Sequence, residues 1–331
     1  MNSTKPVAAS GAKPQGQSRV RGFFARVPTE AMLVVFLLVV VAYFALNSEY
    51  FLGLDNLRNI LLAVSVLSVL AFPSTMLIIS GNFDLSVASN AAFSGMLFAV
   101  VTSGGKENIA LGILAALAGG TLIGVLNGSL VTGVRVNSLI TTLGTLAIFR
   151  GLAKILSNGQ TLRVTGFNWM GKAEWFGIPV AIYIMLIVAV VLALVLRNTV
   201  YGRNIYAIGD VAVAARLVGI RNNATIFATF LLTGFLGGVA GLMLTSQLTA
   251  ASPIAGLGLE LSVVSAVVLG GASLQGGRGT ILGTILGVLI LGTVNNGMTL
   301  IGLSSSWQEV ARGVILILAV AFDQVRITLG G

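Results

Sequence analysis

Residues that could carry out chemistry are scarce in this chain of 331 residues. It contains no Cys and no His, which excludes disulfides, thiolate nucleophiles, Cys/His zinc sites and His-based acid–base catalysis. Residues 166–173 match most of a phosphate-binding P-loop, but they end in Ala173, where that loop needs the Ser or Thr hydroxyl that binds Mg²⁺. We therefore expect no catalytic residue, no metal site and no cofactor bound by this chain.

The composition indicates that lipid, rather than water, surrounds most of the chain. Hydrophobic residues make up 56% of the sequence and charged residues only 9%, whereas a soluble domain is charged at about a quarter of its positions. The formal net charge of +9 would suggest nucleic acid as a partner of a soluble protein. In a membrane protein, the sign of the charge on each side of the bilayer indicates orientation instead, and we expect no nucleic-acid partner.

Apolar stretches of membrane-spanning length recur along the chain. A bilayer crossing needs roughly 20 apolar residues, and the sequence lacks the repeated period-two alternation of a barrel. Residues 1–28 are polar and basic and are expected to form a mostly disordered cytoplasmic tail, which leaves residues 29–331 as one transmembrane domain. We predict an all-α integral membrane protein with ten transmembrane helices, near residues 30–48, 57–80, 84–103, 109–132, 138–157, 178–196, 224–246, 258–272, 279–302 and 307–325.

The basic residues favour one orientation of these helices. If the N-terminus is cytoplasmic, ten crossings return the C-terminus to the cytoplasm. Twelve Lys and Arg residues then lie on the inner side and five on the outer side, with Arg150 and Arg312 inside spans. Cytoplasmic loops of membrane proteins carry such an excess of positive charge. We expect Arg150 to extend toward the outer face and Arg312 to pair with Glu309 on its own helix.

Glycines at every fourth position predict faces where helices pack closely. They are Gly120, Gly124 and Gly128 in the fourth span, and Gly279, Gly283 and Gly287 at the ninth. Internal helix packing is the simplest explanation, and a role in gating or at a subunit interface is the alternative. The dipeptides Arg150-Gly151 and Arg312-Gly313 hint at a duplicated architecture, although two dipeptides do not establish a repeat.

Residues 197–223 form the longest connection between spans that this topology places in the cytoplasm. Asp210 is a plausible N-cap, residues 211–218 can make two helical turns, and Gly219 can end them. Such a short amphipathic helix at the inner surface suits the docking of a soluble partner. An interfacial helix that only connects two spans explains the pattern equally well.

Four segments of the sequence resemble the sugar-type permeases of ABC importers, the ribose, xylose, arabinose and galactose group. They are Gly-Asn-Phe-Asp-Leu-Ser-Val-Ala-Ser at residues 81–89, the region 137–152 that begins Asn-Ser-Leu-Ile-Thr-Thr-Leu-Gly-Thr, the loop segment 209–220, and the run Ser-Ala-Val-Val-Leu-Gly-Gly-Ala-Ser-Leu-Gln-Gly-Gly-Arg-Gly at residues 265–279. The segments occur in the family's order and cover nearly the whole chain after residue 30.

This resemblance implies a multi-pass protein of the bacterial inner membrane, in which two identical or paralogous ten-helix permeases sit on two ABC ATPase subunits. ATP and Mg²⁺ would be bound by those subunits, and a periplasmic or lipid-anchored sugar-binding protein would deliver the cargo. Family members commonly carry an acidic residue where this chain has Ala212 and Val213, so docking is expected to depend on Arg216 and on shape. The ATPase-coupling residues that the resemblance implies are Gly209, Asp210, Ala214, Ala215, Arg216 and Gly219.

A neutral sugar presents many hydroxyl groups and no charge, so polar side chains inside the spans are the candidates for its path. Asp84 follows Gly81 at a span junction, where it could cap a helix or contact cargo. For the amide and hydroxyl side chains, hydrogen bonding between helices is the structural alternative. Among the sugars of the group, the match at Asp84 and at residues 137–145 favours an arabinose-like pentose. The candidates are Asp84, Asn90, Asn127, Thr141, Thr142, Asn295 and Asn296.

Other functions have weaker support in the sequence. An ABC permease for another small polar cargo would share the features above. A stand-alone secondary transporter or channel would need intramembrane carboxylates or helix breaks to couple an ion, and only Asp84, Glu260 and Pro73 qualify. An intramembrane enzyme is disfavoured because no cluster of His, Asp and Glu is expected to face one cavity.

Overall fold

The computed structural model describes residues 29–104, 107–171 and 173–330. These residues form a helical bundle whose helices are α1 (Thr29–Asn47), α2 (Leu54–Ile79), α3 (Val87–Val101), α4 (Ile109–Ser129), α5 (Ser138–Leu156), α6 (Val180–Asn198), α7 (Val200–Leu217), α8 (Asn222–Leu248), α9 (Leu259–Leu269), α10 (Ile281–Leu300) and α11 (Ser305–Gly330). A π-helical turn, Leu130–Val134, extends α4. The predicted tail, residues 1–28, lies outside the described residues.

Four two-residue strands connect the helices at one end of the bundle. β1 (Leu162–Arg163) pairs antiparallel with β4 (Ala250–Ala251), and β2 (Glu174–Trp175) pairs antiparallel with β3 (Ile178–Pro179). The first pair ties the connection between α5 and α6 to the segment that follows α8. These strands are too short to alter the helical character of the fold.

Seven helices in the described residues are long and apolar enough to cross a membrane. They are α1, α2, α4 with its π-helical turn, α5, α6, α8 and α10. The helical class predicted from the sequence is thus confirmed, whereas the count of ten crossings stays a prediction. Two of the predicted spans contain helices that are shorter than expected: α3 has 15 residues and α9 has 11. At 1.5 Å per residue they rise about 22 and 16 Å, less than a hydrocarbon core about 30 Å thick.

The short helices result from irregular segments that precede them. The break predicted at residues 80–84 is present and extends to Ser86, so α3 begins only at Val87. Ahead of α9, Gly256 and Gly258 adopt φ angles of 67° and 83°, a left-handed conformation that interrupts a helix and suits glycine. Each short helix is therefore preceded by a stretch of non-helical backbone.

The connecting segments gather at two opposite ends of the bundle. At the first, which we call the α7 end, the Gly277 N–H donates to Ile79 O at 2.8 Å and the Phe83 N–H donates to Ser138 Oγ at 3.2 Å. At the second, the β end, β1 pairs with β4 and the Thr165 N–H donates to Gly104 O at 2.7 Å. Segments that the ten-span prediction places on the same side of the membrane therefore contact each other.

Helix α2 forms the centre of the bundle. Every residue from Val64 to Ile79 is buried, and α2 packs against α6, α8, α9 and α10. By contrast, α1 and α6 expose Leu46, Leu186 and Val190. Exposed apolar side chains on outer helices fit a lipid environment, where they need no polar cover.

Glycines bring two pairs of helices into backbone contact. A Cβ at Gly120 would lie 2.7 Å from Gly234 O, and one at Gly124 would lie 3.0 Å from Gly234 Cα, so α4 and α8 touch along this face. A Cβ at Gly128, one turn further, would lie 2.9 Å from the Phe227 ring. On α10, Gly287 would place a Cβ 3.0 Å from Gly270 N at the end of α9. Gly283 of α10 lies against Gly270 O in the same way.

Gly279 does not share the helical face of Gly283 and Gly287, contrary to the prediction. Helix α10 begins at Ile281, after Thr280, whose Oγ1 accepts the Gly283 N–H at 2.9 Å. Gly279 has a φ of 148° and a Cβ there would lie 2.9 Å from Ala272 Cβ. The lack of a side chain at Gly279 therefore permits a tight loop rather than a close contact between two helices.

The P-loop-like segment lies at the β end and lacks the strand-to-helix geometry of a phosphate site. Phe167 is fully buried, with its ring centroid 4.3 Å from that of Phe98. The Gly171 N–H donates to Ser246 Oγ at 2.9 Å. This segment is a packed connection between helices.

Candidate functional site

The predicted coupling segment is largely helical rather than a loop. Helix α7 begins after Thr199, whose Oγ1 accepts the Gly202 N–H at 3.1 Å as an N-cap. The helix is interrupted at Val211, whose φ of −143° and ψ of 93° are non-helical. The kink divides α7 into two helical segments, so the predicted short helix is present, but the break lies at Val211, one residue after the predicted N-cap Asp210.

The second half of α7 ends as the sequence predicted. Gly219 has a φ of 87°, its N–H donates to Arg216 O at 3.1 Å, and the Ile220 N–H donates to Ala215 O at 3.1 Å. This is the Schellman pattern, in which a left-handed glycine ends a helix. Asn222 Nδ2 then donates to Ala212 O at 2.8 Å and ties this half to the start of α8.

The first half of α7 is packed on the bundle through glycine. Gly209 lies directly against Ile79 O, and a Cβ at Gly276 would lie 2.7 Å from Gly209 O. Tyr206 Oη donates to Gly279 O at 2.7 Å. Burial raises the pKa of the Tyr206 phenol, so it stays protonated and donates this bond. The first half of α7 therefore contacts both the end of α2 and the loop between α9 and α10.

The second half of α7 projects apolar side chains away from the bundle. Val213, Leu217 and Val218 are 69%, 84% and 78% exposed. This apolar surface lies at the α7 end, where polar loops gather, rather than on the outer wall of the bundle. A contiguous exposed apolar surface of this kind is typical of an interaction site.

The six predicted coupling residues divide between these two halves. Gly209 is half-buried against α2 and Ala215 is buried, so both position the helix. The other four are exposed and accessible to a partner; they are Asp210, Ala214, Arg216 and Gly219.

A basic cavity adjoins the end of α7. It has a volume of about 450 Å³ and its lining includes Arg135, Arg216 and Arg221, together with residues 222–224 and Ile220. No acidic side chain belongs to this lining. The cavity gives the α7 end a locally positive surface.

Two of the predicted path residues, Asp84 and Asn127, belong to one buried chain of hydrogen bonds. Asp84 Oδ1 accepts bonds from the Ser86 N–H at 2.8 Å and from Ser86 Oγ at 2.5 Å. Asn127 Nδ2 donates to Ser86 Oγ at 2.9 Å, and Thr145 Oγ1 donates to Asn127 Oδ1 at 2.8 Å. All four side chains are buried. The chain links the segment before α3 to α4 and α5.

Sequence reasoning missed Ser86 and Thr145 as members of this chain. Thr145 lies 18 positions after Asn127 and on the next helix, so no periodicity within one helix connects the two residues. Asp84 also holds Ser86 in place rather than capping α3, whose first residue is Val87. The signal for Ser86 was present in the sequence, in a short repeat described below.

The remaining path candidates are separate from this chain. Asn90 Nδ2 donates to Gly120 O at 3.3 Å and to Gly234 O at 3.1 Å, so it bridges α4 and α8. Thr142 Oγ1 donates to Ser138 O of its own helix, whereas the buried Thr141 Oγ1 has no protein partner.

At the other end of the bundle, Asn296 and Asn56 exchange two amide hydrogen bonds, of 2.8 and 3.0 Å. This pair joins α10 to the start of α2. Asn295 is half-buried beside it. The polar residues of α10 are thus distant from Asp84 and Asn127, which lie near the segment before α3.

A six-residue repeat marks the starts of the two short helices. Residues 84–89 read Asp-Leu-Ser-Val-Ala-Ser and residues 260–265 read Glu-Leu-Ser-Val-Val-Ser. The helices that follow each carry glycines four apart, at Gly120 and Gly124 in α4 and at Gly283 and Gly287 in α10. The next helices, α5 and α11, contain Arg150-Gly151 and Arg312-Gly313. The faint duplication seen in the dipeptides thus extends over three consecutive helices.

The two copies of this repeat run in opposite directions. Helix α2 ends at the α7 end, next to Gly277, whereas α8 begins there and runs toward the β end. The starts of the short helices meet inside the bundle, where a Cβ at Gly256 would lie 3.9 Å from Ala88 O. Inverted repeats with broken helices at their interface are characteristic of transporters.

Both arginines of the repeat bind near the start of α9, contrary to the predictions for them. Arg150 is buried, and its Nη1 donates to Pro253 O at 3.1 Å and Ala255 O at 2.8 Å, so it does not extend to the surface. Arg312 Nη1 donates to Ser262 Oγ at 3.1 Å rather than to Glu309, which is exposed. Non-helical carbonyl groups inside a bundle need such donors.

Comparison with known proteins identifies a family model that covers most of the chain. Residues 56–320 match a model described as branched-chain amino acid transport system / permease component. The match includes α7, both short helices and both arginines of the repeat.

Individual proteins are similar over nearly the same length. The L-arabinose transport system permease protein AraH of Escherichia coli strain K12 is 41% identical over 299 residues, which cover 89% of this chain and 90% of that protein. The ribose import permease protein RbsC of the same strain is 38% identical over 301 residues, covering 89% and 93%. RbsC of Bacillus subtilis strain 168 is 38% identical over 296 residues, covering 88% and 91%.

Proposed function

Since this chain belongs to the permease family of bacterial sugar ABC importers, we propose that it forms half of an ATP-driven path for a pentose. The similarity to permeases named for L-arabinose and for ribose supports a five-carbon sugar as cargo. L-arabinose is the first choice because AraH of Escherichia coli is 41% identical to this chain, compared with 38% for RbsC. Import of the sugar across the inner membrane is the direction that the family implies.

The proposed topology has ten crossings with both termini in the cytoplasm. Seven helices have spanning length, and α3 and α9 each complete a crossing together with the irregular segment before it. The tenth crossing is the predicted span 307–325 within α11. The segregation of connecting segments into the α7 end and the β end supports this alternation, and the excess of basic residues favours a cytoplasmic α7 end.

The second half of α7 is the proposed docking element for the ABC ATPase subunits. Its exposed Val213, Leu217 and Val218 offer an apolar surface to a cleft, and Arg216 adds a positive charge beside it. Movement of this half would be transmitted through the first half, because Gly209 contacts Ile79 at the end of α2. ATP and Mg²⁺ would be bound on the partner subunits, so this chain contributes no catalytic group.

Two further partners follow from this assignment. A second permease, identical or paralogous, would complete the path, and the exposed apolar faces of the outer helices can accommodate either this partner or lipid. A sugar-binding protein would dock at the β end, which faces outward in the proposed topology.

The polar chain from Asp84 to Thr145 is the proposed part of the path nearest the α7 end. It is buried and hydrogen-bonded, and it joins the segment before α3 to two spanning helices. A movement of this segment would therefore displace α4 and α5. Asn295, half-buried on α10, belongs to the path nearer the β end.

The observation that carries the proposed function is the 41% identity to an arabinose permease over 89% of the chain. Its test is uptake of radiolabelled L-arabinose and D-ribose into proteoliposomes that contain this chain with its ATPase and binding protein. We expect uptake that requires ATP and both partners. Uptake by this chain alone, driven by a proton or sodium gradient, would identify a secondary transporter instead.

A further inference from the structure

The turn before α9 lies between the two ends of the bundle, with Pro253 buried and with Ile254 and Leu257 60% and 71% exposed. Helix α9 has 11 residues and rises about 16 Å, roughly half of the hydrocarbon thickness. Its last turn packs against α10 near the α7 end, through Gly270 and Gly283. The segment 252–258 must therefore extend from the β end deep into the bundle, where Gly256 approaches Ala88.

Arg150 bonds to this turn through only one of its guanidinium nitrogens, Nη1. Nη1 makes both hydrogen bonds to Pro253 O and Ala255 O, whereas Nε and Nη2 are buried and have no protein partner. The side chain is 7% exposed. A guanidinium presents five N–H donors, and leaving a charged donor unpaired inside a protein is costly.

Glu260, in the first turn of α9, has a carboxylate oxygen that lacks a hydrogen-bond donor. Its Oε1 accepts the Gly258 N–H at 3.3 Å, and its Oε2 is buried without a protein partner. The Glu260 carboxylate lies within electrostatic reach of Arg150. Yet no hydrogen bond or ion pair joins the two side chains, both of which the structure describes. Arg150 therefore keeps unpaired donors, and Glu260 an unpaired acceptor, at the start of α9.

The second arginine of the repeat fixes the far side of this turn. Arg312 Nη1 bonds to Ser262 Oγ and lies 3.7 Å from the Cβ position of Gly258. At the β end, Thr161 Oγ1 bonds to Ser252 Oγ at 3.1 Å. Thr161 is exposed and Ser252 partly exposed, so polar groups lead from the β end to the turn.

We propose that Arg150 and Glu260 bind the hydroxyl groups of the sugar at the start of α9. One sugar hydroxyl donates to Glu260 Oε2 while its oxygen, or that of an adjacent hydroxyl, accepts from Arg150 Nε or Nη2. Hydrogen bonds to charged groups are stronger than those between neutral groups, and each hydroxyl group of a sugar can both donate and accept. This inference rests on the proposed function, because it assigns a site to that cargo.

The absence of native cysteine makes this site open to a direct test. A single cysteine is introduced by Ser252→Cys, and its reaction rate with a water-soluble maleimide is measured in the complete transporter in nanodiscs. L-arabinose or D-ribose is added, and glycine betaine at the same osmolarity serves as the comparison. We expect the sugar to slow the labelling several-fold, and the protection to disappear when Glu260→Gln or Arg150→Gln is added. Ser304→Cys, on the exposed turn after α10, should show no protection.

Uptake measurements on the same variants separate this inference from the proposed function. Glu260→Gln keeps the shape of the side chain, and we expect uptake on the order of tenfold slower, with unchanged complex assembly. The exposed controls Glu49→Gln and Arg163→Gln should keep the sugar protection of Ser252→Cys. If unsubstituted protein takes up sugar while both the labelling of Ser252→Cys and uptake by Glu260→Gln are unaffected, the site is overturned and the transport function stands. If unsubstituted protein shows no ATP-driven uptake, the proposed function itself fails.

Discussion

Gly209 in the first half of α7 lies directly against the carbonyl oxygen of Ile79, the last residue of α2. The same oxygen accepts the Gly277 N–H at 2.8 Å, so three segments meet at one atom. Helix α2 is the central, buried helix of the bundle. The contact therefore offers a direct mechanical link between the surface helix proposed to dock an ATPase and the interior.

A methyl group at this contact should weaken the coupling between ATP hydrolysis and transport. In Gly209→Ala, the new Cβ overlaps Ile79 O and Gly277 N, so α7 must move away from α2. We expect sugar uptake to fall roughly tenfold, the size of a typical coupling between sites, while ATP hydrolysis by the complex continues. Uptake and hydrolysis are measured in parallel in proteoliposomes. Gly144→Ala on α5 is the control, because no atom lies within 4 Å of the added Cβ. Equal transport by the two variants would contradict the proposed link between α7 and α2.

Reversing the charge of Arg216 should prevent productive docking. Arg216 is exposed near the end of α7 and contributes to a cavity lined by three arginines. Arg216→Glu reverses the charge offered to the partner, and we expect uptake to drop by about a hundredfold with normal membrane insertion. Co-purification of the ATPase with the variant measures docking. Arg163→Glu at the β end is the control, and the ATPase should still co-purify with it. If the ATPase also co-purifies with Arg216→Glu, Arg216 does not belong to the interface.

Removing the amide of Asn127 should interrupt the polar chain. Asn127→Leu removes the bonds that Asn127 makes with Ser86 and Thr145, and each such hydrogen bond contributes about 0.5–1.5 kcal/mol. We expect transport to slow more than complex assembly declines, as measured by uptake per assembled complex. Thr121→Val on the same helix, whose hydroxyl bonds only to Leu117 O, is the matched control. A normal rate in Asn127→Leu would assign this chain to packing alone.

A large side chain at Gly124 should separate α4 from α8. The Cβ position is already 3.0 Å from Gly234 Cα, and overpacking of this kind costs about 1–3 kcal/mol. We expect Gly124→Leu to lower the unfolding temperature in detergent. Gly151→Leu, at a glycine of α5 with nothing within 4 Å, should change it little. Similar unfolding temperatures for the two variants would argue against a close crossing.

Much of the helical fold could be predicted because hydropathy follows the helices closely. The predicted span 138–157 corresponds to Ser138–Leu156, and 279–302 to Ile281–Leu300. The short helices were harder, because Val87–Val101 and Leu259–Leu269 are embedded in longer apolar stretches. Hydropathy reports composition, whereas the helix starts depend on left-handed glycines and on hydrogen bonds from distant residues.

The candidate site could be predicted only in part for a related reason. The Schellman end of α7 depends on local sequence, and Gly219 signalled it. The partners of Arg150 are Pro253 and Ala255, more than 100 positions away, and no local pattern connects them. The repeat of residues 84–89 at 260–265 was visible in the sequence and, had it been recognised, would have directed attention to Ser86 and Glu260.

If the second half of α7 docks an ATPase, it must face the cytoplasm. Val213, 69% exposed, is replaced by Cys in this cysteine-free chain, and the variant is labelled with a membrane-impermeant maleimide in intact cells and in inverted membrane vesicles. Cross-linking of the same cysteine to the ATPase subunit is measured in the vesicles. The account predicts labelling only in inverted vesicles and a cross-link that protects the site. Labelling from outside intact cells, with no cross-link to the ATPase, would contradict it.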